Sequence, residues 1–160
     1  MTHAIPRALG LDIGTKTIGL AISDALGWTA RPLSTIRRKS WVEDLAALVQ
    51  IQQTHGIAQL VVGLPLGREG EMTEQARYSQ RAAERIQQEL GLPVAYVDES
   101  LSSAEADVYM QQVGVRRKKR KQNIDQQAAA LILQDYLDEQ QRLQRARQAA
   151  AGPRQHQEQD

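Results

Sequence analysis

Two apolar segments near the start of the chain lie only a few residues apart. They are Ala8–Asp12 and Thr17–Ser23, and Gly14-Thr15-Lys16 lies between them. Such a short connection predicts a β-hairpin, because parallel strands need a crossover of about a dozen residues or more. We therefore expect the sheet of this chain to begin with an antiparallel pair.

Further along the chain, strand and helix patterns alternate. Capping residues, hydrophobic spacing and stop signals define each element. The predicted elements are a short strand at Leu33–Ile36, a helix from Ser40 to Gly56 with Trp41, Leu45, Leu48 and Val49 as its apolar stripe, a strand at Gln59–Val62 closed by Gly63-Leu64-Pro65, a helix from Thr73 to Leu90, and a strand at Pro93–Val97.

The last third of the chain predicts two more helices. Ser102 and Glu105 open the first, which fades near Gly114, and Asn123 caps the second. Early antiparallel strands followed by strand–helix alternation predict an α/β fold, a mixed sheet flanked by helices in a single domain over residues 1–140. Residues 141–160 form a polar extension with almost no large apolar side chain, in which we expect the end of the helix and then a disordered tail at residues 151–160.

Composition excludes several classes of function. The chain has no cysteine, which rules out disulfides, thiolate nucleophiles and cysteine-based zinc sites. No apolar run approaches the roughly 20 residues that span a bilayer, and Met1 to Arg7 lacks the apolar core of a signal peptide. We therefore expect a cytoplasmic protein with no membrane partner.

Asp12 interrupts an apolar strand at Gly10-Leu11-Asp12-Ile13-Gly14. A buried carboxylate costs several kcal/mol unless something pairs with it, and no basic residue is adjacent. A strand-end aspartate that starts a turn is the plain structural alternative. The other interpretation is that Asp12 binds something positively charged.

Two further acidic positions fit a shared site. Asp98 and Glu99 follow the strand that ends at Val97, and carboxylates at the C-terminal end of such a strand face the crevice where open α/β sheets bind ligands. Asp125 lies in the first turn of the predicted last helix, on the same face as Ala128, Ala129 and Ile132. Such a set of acids predicts a site for Mg²⁺ or Mn²⁺, hard cations that prefer oxygen ligands and can promote phosphodiester hydrolysis. Each acid alone also fits an ordinary loop or helix start.

Four sequence blocks resemble the motifs of the YqgF/RuvX family of Holliday junction resolvase-like nucleases. The blocks are Leu11-Asp12-Ile13-Gly14-Thr15-Lys16-Thr17-Ile18-Gly19-Leu20-Ala21-Ile22-Ser23-Asp24, Val61-Val62-Gly63-Leu64-Pro65-Leu66, Val97-Asp98-Glu99-Ser100-Leu101-Ser102-Ser103-Ala104 and Ile124-Asp125-Gln126-Gln127-Ala128-Ala129-Ala130-Leu131-Ile132-Leu133. They occur in the family's order and span about residues 8–138.

The resemblance implies a ribonuclease H-like fold and a metal-dependent endonuclease. It implies Asp12, Glu99 and Asp125 as the catalytic, metal-binding carboxylates. It also implies processing of the 5′ end of the 16S ribosomal RNA precursor. Two positions depart from the family pattern: Ser100 stands where an arginine is usual, and Gln126 stands where a small residue is common.

The charge distribution indicates where nucleic acid would bind. Net charge is only +1, but one segment carries six consecutive basic residues: Arg116, Arg117, Lys118, Lys119, Arg120 and Lys121. We expect this segment to be a loop that contacts phosphates, because six adjacent like charges repel one another and do not pack in a core. Lys16 at the hairpin tip and Arg68 beyond Pro65 are further candidates for phosphate contact, although both also fit exposed loop positions.

Other functions fit parts of the same pattern. The hairpin resembles the first phosphate motif of actin-like and sugar-kinase ATPases, but the chain lacks their second domain and second phosphate motif. Within the nuclease class, RNA is the favoured substrate and branched DNA, cut by a possible homodimer, is the alternative. A third possibility is a catalytically weak module that binds nucleic acid or the transcription machinery, although all three proposed ligands are present.

Overall fold

A computed structural model describes residues 5–99 and 117–151 of the 160-residue chain. Within these ranges five strands and three helices occur in the order β-β-β-α-β-α-β-α. Their bounds are β1 Ala8–Ile13, β2 Thr17–Ser23, β3 Ala30–Arg37, α1 Trp41–His55, β4 Gln59–Leu64, α2 Glu74–Leu90, β5 Val94–Asp98 and α3 Arg117–Ala151. The helix predicted from Ser102 to Gly114, Arg116, and residues 152–160 lie outside the described residues.

The five strands form one mixed sheet in the order β3-β2-β1-β4-β5. β1 pairs antiparallel with β2, and β2 pairs antiparallel with β3. β1 pairs parallel with β4, and β4 pairs parallel with β5. The predicted hairpin and the mixed sheet are both confirmed, and β1 is the central strand that joins their antiparallel and parallel halves.

Three strands are longer than the sequence predicts. β1 continues to Ile13, β3 covers Ala30–Arg37, and β4 continues through Gly63 to Leu64. Pairing explains the extensions: Ile13 lies opposite Ile18, and Leu64 lies opposite Asp98. Ladder hydrogen bonds of this kind depend on the partner strand, so hydrophobic patterning along one segment does not register them.

Helices cover both faces of the sheet. On one face, α1 and α2 pack through Leu48, Ala83 and Ile86 against alternate residues of the central strands, such as Leu9 and Leu60. On the other face, α3 packs through Ala129, Ile132 and Leu133 against Ala8 and Val61. Successive strand residues point to opposite faces, so the two cores are separated by the sheet itself.

Glycines on β1, β2 and β4 let α3 approach the sheet closely. A Cβ atom added at Gly19 would lie 2.0 Å from the backbone oxygen of Asp125. One added at Gly10 would lie 2.9 Å from the backbone oxygen of Ala129, and one at Gly63 would lie 2.4 Å from Ile132. The helix therefore rests on strand backbone, which brings the first turns of its packed segment next to β1 and β2.

The predicted capping residues are confirmed in α1 and α2. Ser40 accepts a hydrogen bond from the backbone NH of Glu43, and Thr73 accepts one from that of Ala76. Both helices end at a glycine with positive φ, Gly56 at 63° and Gly91 at 67°, a conformation that favours glycine. The Thr73 cap fixes where α2 begins, with the nine residues 65–73 between the helix and the end of β4 at Leu64.

The start of the last helix was predicted wrongly. Residues 117–121 of the basic segment form the first turns of α3 and are not a loop, and Asn123 lies inside the helix rather than at its cap. Lysine and arginine are good helix formers, and like-charge pairs on a helix cost only a few tenths of a kcal/mol each. The helix therefore extends N-terminally from its packed segment despite the repulsion. Within the described ranges, no helix has the length and apolar character to span a membrane.

Candidate functional site

Asp12 is the one charged residue of β1 and lies near the C-terminal end of this central strand. It is opposite Gly19 in the β1–β2 register. Asp12 and Gly10 are two residues apart on β1, so their side-chain positions lie on the same face of the sheet. A Cβ atom at Gly10 would contact α3, so the side chain of Asp12 lies on the α3 face. Its neighbours Leu11 and Ile13 are buried on the opposite face. Asp12 is therefore placed toward α3 and away from the main apolar core.

Glu99 reaches the same region from the end of β5. Its backbone NH donates to the carbonyl of Leu64 at 3.0 Å, which ties the residue to the end of β4. Its side chain is only 7% exposed, and Oε2 is buried without a hydrogen-bond partner among the described residues. A Cβ at Gly63 would lie 2.8 Å from this oxygen, so the absence of a side chain there makes room for the carboxyl.

Asp12 and Glu99 share a hydrogen bond between their carboxyl groups. Burial raises the pKa of Asp12 to about 6; the hydrogen bond from Glu99 opposes this rise, and the charge of Asp125 adds to it. Burial also raises the pKa of Glu99 to about 9, with further contributions from the charge of Asp12, the hydrogen bond and the charge of Asp98. At neutral pH Glu99 therefore holds a proton and donates it to an ionised Asp12.

Asp125 completes the group of acids from α3. Its Oδ2 accepts a hydrogen bond of 2.7 Å from the hydroxyl of Thr17, at the start of β2. Its backbone lies against Gly19, which fixes the helix at this point of the sheet. The expected face of α3 is confirmed, because Ala128, Ala129 and Ile132 are fully buried.

A second, basic cluster braces the hairpin that carries Asp12 and Thr17. Arg38 forms a buried ion pair with Asp44 of α1, with Nε and Oδ2 3.3 Å apart. It also donates to the carbonyl of Gly14 at 3.1 Å and to the hydroxyl of Tyr78 in α2. Its guanidinium lies over the ring of Trp41 at 4.5 Å. The hairpin turn is thus held by both helices of the opposite face.

The donor set suits a hard divalent cation. Asp12, Glu99 and Asp125 supply only carboxylate oxygens, and Glu99 Oε2 is a buried oxygen with no hydrogen-bond partner in the described part of the chain, as expected of a ligand. In residues 5–99 and 117–151, no three acidic or histidine side chains are already arranged to hold an ion. Asp12 and Glu99 share a proton, so ion binding here requires proton loss.

The structure describes the predicted nucleic-acid contacts to different extents. Lys16 is exposed at the hairpin tip, and Arg68 is exposed in the loop after β4. The backbone of residues 117–121 precedes Asp125 by one to two turns of α3. Sequence reasoning missed Thr17 and the Arg38 cluster, since a threonine at a strand start and an arginine after a strand are common on any surface.

Comparison with known families gives one match that covers most of the chain. A family model described as RuvX, Holliday junction resolvase, matches residues 6–139. This range contains every described element except the last turns of α3. It also contains Asp12, Glu99 and Asp125.

Two bacterial relatives illustrate the sequence similarity. A protein of Moorella thermoacetica named "Putative pre-16S rRNA nuclease" is 48% identical over 132 residues, which cover 82% of this chain and 94% of the relative. A protein of the same name from Synechococcus sp. is 45% identical over 133 residues, covering 83% and 89%. Both relatives are thus matched over almost their full length.

Among solved structures, the chain is similar to the resolvase RuvC of Thermus thermophilus in complex with a Holliday junction substrate. The TM-score is 0.54 at 15% identity, and the match covers 86% of this chain and 96% of RuvC. A likeness at this identity shows the fold alone. The ribonuclease H-like mixed sheet expected from the sequence motifs is confirmed.

Proposed function

The chain belongs to the RuvX family, and from that premise we propose that it is a divalent-metal-dependent endonuclease that processes the 5′ end of the 16S ribosomal RNA precursor. The names of its relatives, at 48% and 45% identity, support this substrate. The reaction is the hydrolysis of a phosphodiester bond. A ribosomal RNA substrate also implies a cytoplasmic location.

One observation carries the catalytic proposal: the carboxyl groups of Asp12 on β1 and Glu99 after β5 share a proton on the α3 face of the sheet, and Asp125 on α3 is near enough for its charge to act on Asp12. Carboxylates that lie close together destabilise a fold because their negative charges repel one another. Burial increases this destabilisation when no cationic side chain neutralises the charges. A cation that replaces the shared proton removes this cost. Asp12, Glu99 and Asp125 would hold the ion, with Asp125 kept in place by its hydrogen bond from Thr17.

When bound, a Mg²⁺ or Mn²⁺ ion supplies Lewis-acid stabilisation of the charge that develops on the phosphate. The residues of this chain then have distinct tasks. Thr17 and Gly19 position Asp125, and the Leu64 carbonyl positions Glu99. Arg38 acts at a distance from the carboxylates, because it holds the Gly14 carbonyl and so the shape of the hairpin.

Substrate binding is proposed for the basic residues around the carboxylates. Residues 117–121 of the basic segment form the first turns of α3 shortly before Asp125, and Lys16 and Arg68 are exposed on loops. Basic residues at a helix N-terminus oppose the helix dipole, so phosphate groups there would relieve an unfavourable charge arrangement. These contacts would position the nucleic acid without reading its sequence.

Branched DNA is the second candidate substrate. The family description as a Holliday junction resolvase favours it. Paired symmetric cuts in a junction would require two copies of the chain with two sites, hence a homodimer. RNA remains the first choice because the relatives that match almost end to end carry the ribosomal RNA name.

A cleavage assay tests the substrate. We expect cutting of precursor 16S RNA in Mn²⁺, with slower cutting of unrelated single-stranded RNA and of a four-way DNA junction at the same salt concentration. Changing residues 116–121 to Gln should weaken RNA binding and reduce the slope of log affinity against log salt by about 0.7 for each lost phosphate contact. Efficient paired nicking of the junction without cutting of the precursor would overturn the RNA assignment.

A further inference from the structure

An exposed arginine stripe runs along α2. Arg77, Arg81 and Arg85 are four residues apart, so they lie on one side of the helix at steps of about 6 Å. All three are exposed, and none forms an ion pair among the residues that the structure describes. Arg85 lies over the Trp41 ring at 4.7 Å, so its guanidinium is held in place. We call these three residues the α2 arginine stripe.

The stripe begins beside the hairpin that carries Asp12. An open cleft of about 370 Å³ lies between α2 and the hairpin tip. Its lining residues are Thr15, Glu74, Gln75, Arg77, Tyr78 and Arg81. Two contacts hold α2, which lines the cleft, against β1 and the hairpin turn. Ser79 donates to the carbonyl of Ile13 at 3.4 Å, and Tyr78 is joined to Gly14 through Arg38.

The stripe lies on the α2 face of the sheet, whereas the carboxylates lie on the α3 face. The cleft lies between α2 and the tip of the β1–β2 hairpin. A ligand that touches both must therefore be long and pass over the hairpin tip. A polyanion with regularly spaced charges has this shape, and an arginine guanidinium donates well to phosphate oxygens.

We propose that the α2 arginine stripe binds the phosphate backbone of the substrate strand, a few nucleotides away from the bond that is cut. This inference rests on the proposed nuclease function. Glu74 is the one acid of the cleft, and it occupies the first turn of α2, where it complements the helix dipole.

Direct binding measurements test the stripe independently of cleavage. Affinity of the R77Q/R81Q variant for a labelled single-stranded RNA is measured in EDTA over a range of salt concentrations. We expect weaker binding and a salt slope reduced by about 1.4, since about 0.7 is lost for each phosphate contact of a single strand. Arg85 is left unchanged because it contacts Trp41.

The matched control is R145Q/R147Q, which removes the same charge from exposed positions near the far end of α3. It should leave the slope nearly unchanged. An unchanged slope in R77Q/R81Q, or an equal reduction in both variants, would overturn the proposal. Failure of the nuclease function would instead appear as absence of cleavage by the wild-type chain, whatever the binding slopes.

Substrate length gives a second readout. In Mn²⁺, R77Q/R81Q should raise KM for a long precursor RNA and leave kcat close to that of the wild type, because the stripe lies away from the reacting bond. The effect should vanish for an oligonucleotide too short to pass the hairpin tip. A loss of kcat that is equal for long and short substrates would contradict a distant backbone contact.

Discussion

Replacing Asp12 by Asn is expected to lower the cleavage rate by at least about 100-fold while the fold is retained. The amide nearly preserves the shape of the carboxylate but removes a negative ligand, and metal stabilisation of a transition state is worth several kcal/mol. The measurement is the single-turnover cleavage rate in Mn²⁺. The control is Asp138→Asn, which removes an exposed carboxylate farther along α3 and should cut at the wild-type rate.

The same variant should be more stable than the wild type in the absence of metal at pH 8. Folding raises the pKa of Asp12 to about 6 and that of Glu99 to about 9, from ordinary values of 3.8 and 4.5. A carboxyl group whose pKa is raised by folding contributes its full stabilisation only at pH values below its ordinary pKa. This contribution is lost as the pH rises through about 6 for Asp12 and towards about 9 for Glu99. Asn at position 12 removes one of the closely spaced negative charges of Asp12, Glu99 and Asp125. Near pH 4 the two melting temperatures should therefore converge.

A wild-type cleavage rate in Asp12→Asn would contradict the assignment of Asp12 as a metal ligand. A wild-type chain that binds precursor RNA but does not cut it would indicate the binding module considered from the sequence.

Replacing Gly19 by Ala is expected to destabilise the fold by about 3 kcal/mol and also to reduce cleavage. The new methyl group would lie 2.0 Å from the backbone oxygen of Asp125, and backbone cannot move aside as a flexible side chain can. The helix must shift outward, which corresponds to a loss of roughly 6–12 °C in melting temperature. Displacement of Asp125 by about 1 Å would cost roughly 100-fold in rate.

Gly14→Ala is the matched control for this substitution. Position 14 is in the same hairpin, but the nearest atom to a new Cβ is the carbonyl oxygen of Thr17 at 3.1 Å. We expect a loss below about 1 kcal/mol, because a shift of a few tenths of an ångström relieves the contact. Equal melting temperatures for Gly19→Ala and Gly14→Ala would show that α3 does not rest closely on β2.

Local sequence signals predicted most of the fold. The caps at Ser40 and Thr73, the glycine stops and the apolar stripe of α1 depend on neighbouring residues, and each is found where expected. The start of α3 differs from the prediction because the helix propensity of lysine and arginine outweighs charge repulsion in the basic segment. The close docking of α3 onto Gly10, Gly19 and Gly63 was also missed, because it depends on contacts between distant parts of the chain.

The candidate site could be predicted in composition but not in chemistry. Asp12 was marked by its apolar neighbours, Glu99 by its place after a strand end and Asp125 by its place on the packed face of the last helix, and the family motifs imply the same three residues. The shared proton, the burial of Glu99 Oε2 without a partner among residues 5–99 and 117–151, and the hydrogen bond from Thr17 depend on interatomic distances. The Arg38 cluster joins the end of β3 to α1, α2 and the hairpin. Because these elements are distant in sequence, no single segment of the chain indicates the cluster.

The most direct test of the central claim is calorimetric titration of the wild-type chain with Mn²⁺ at pH 7.5 in buffers of different ionisation enthalpy. We expect binding accompanied by proton release, because the ion must displace the proton that Glu99 shares with Asp12. Asp12→Asn should bind at least tenfold more weakly, whereas Asp138→Asn should match the wild type. Absence of Mn²⁺ binding by the wild type, or equal binding by Asp12→Asn, would contradict a metal site built from these carboxylates.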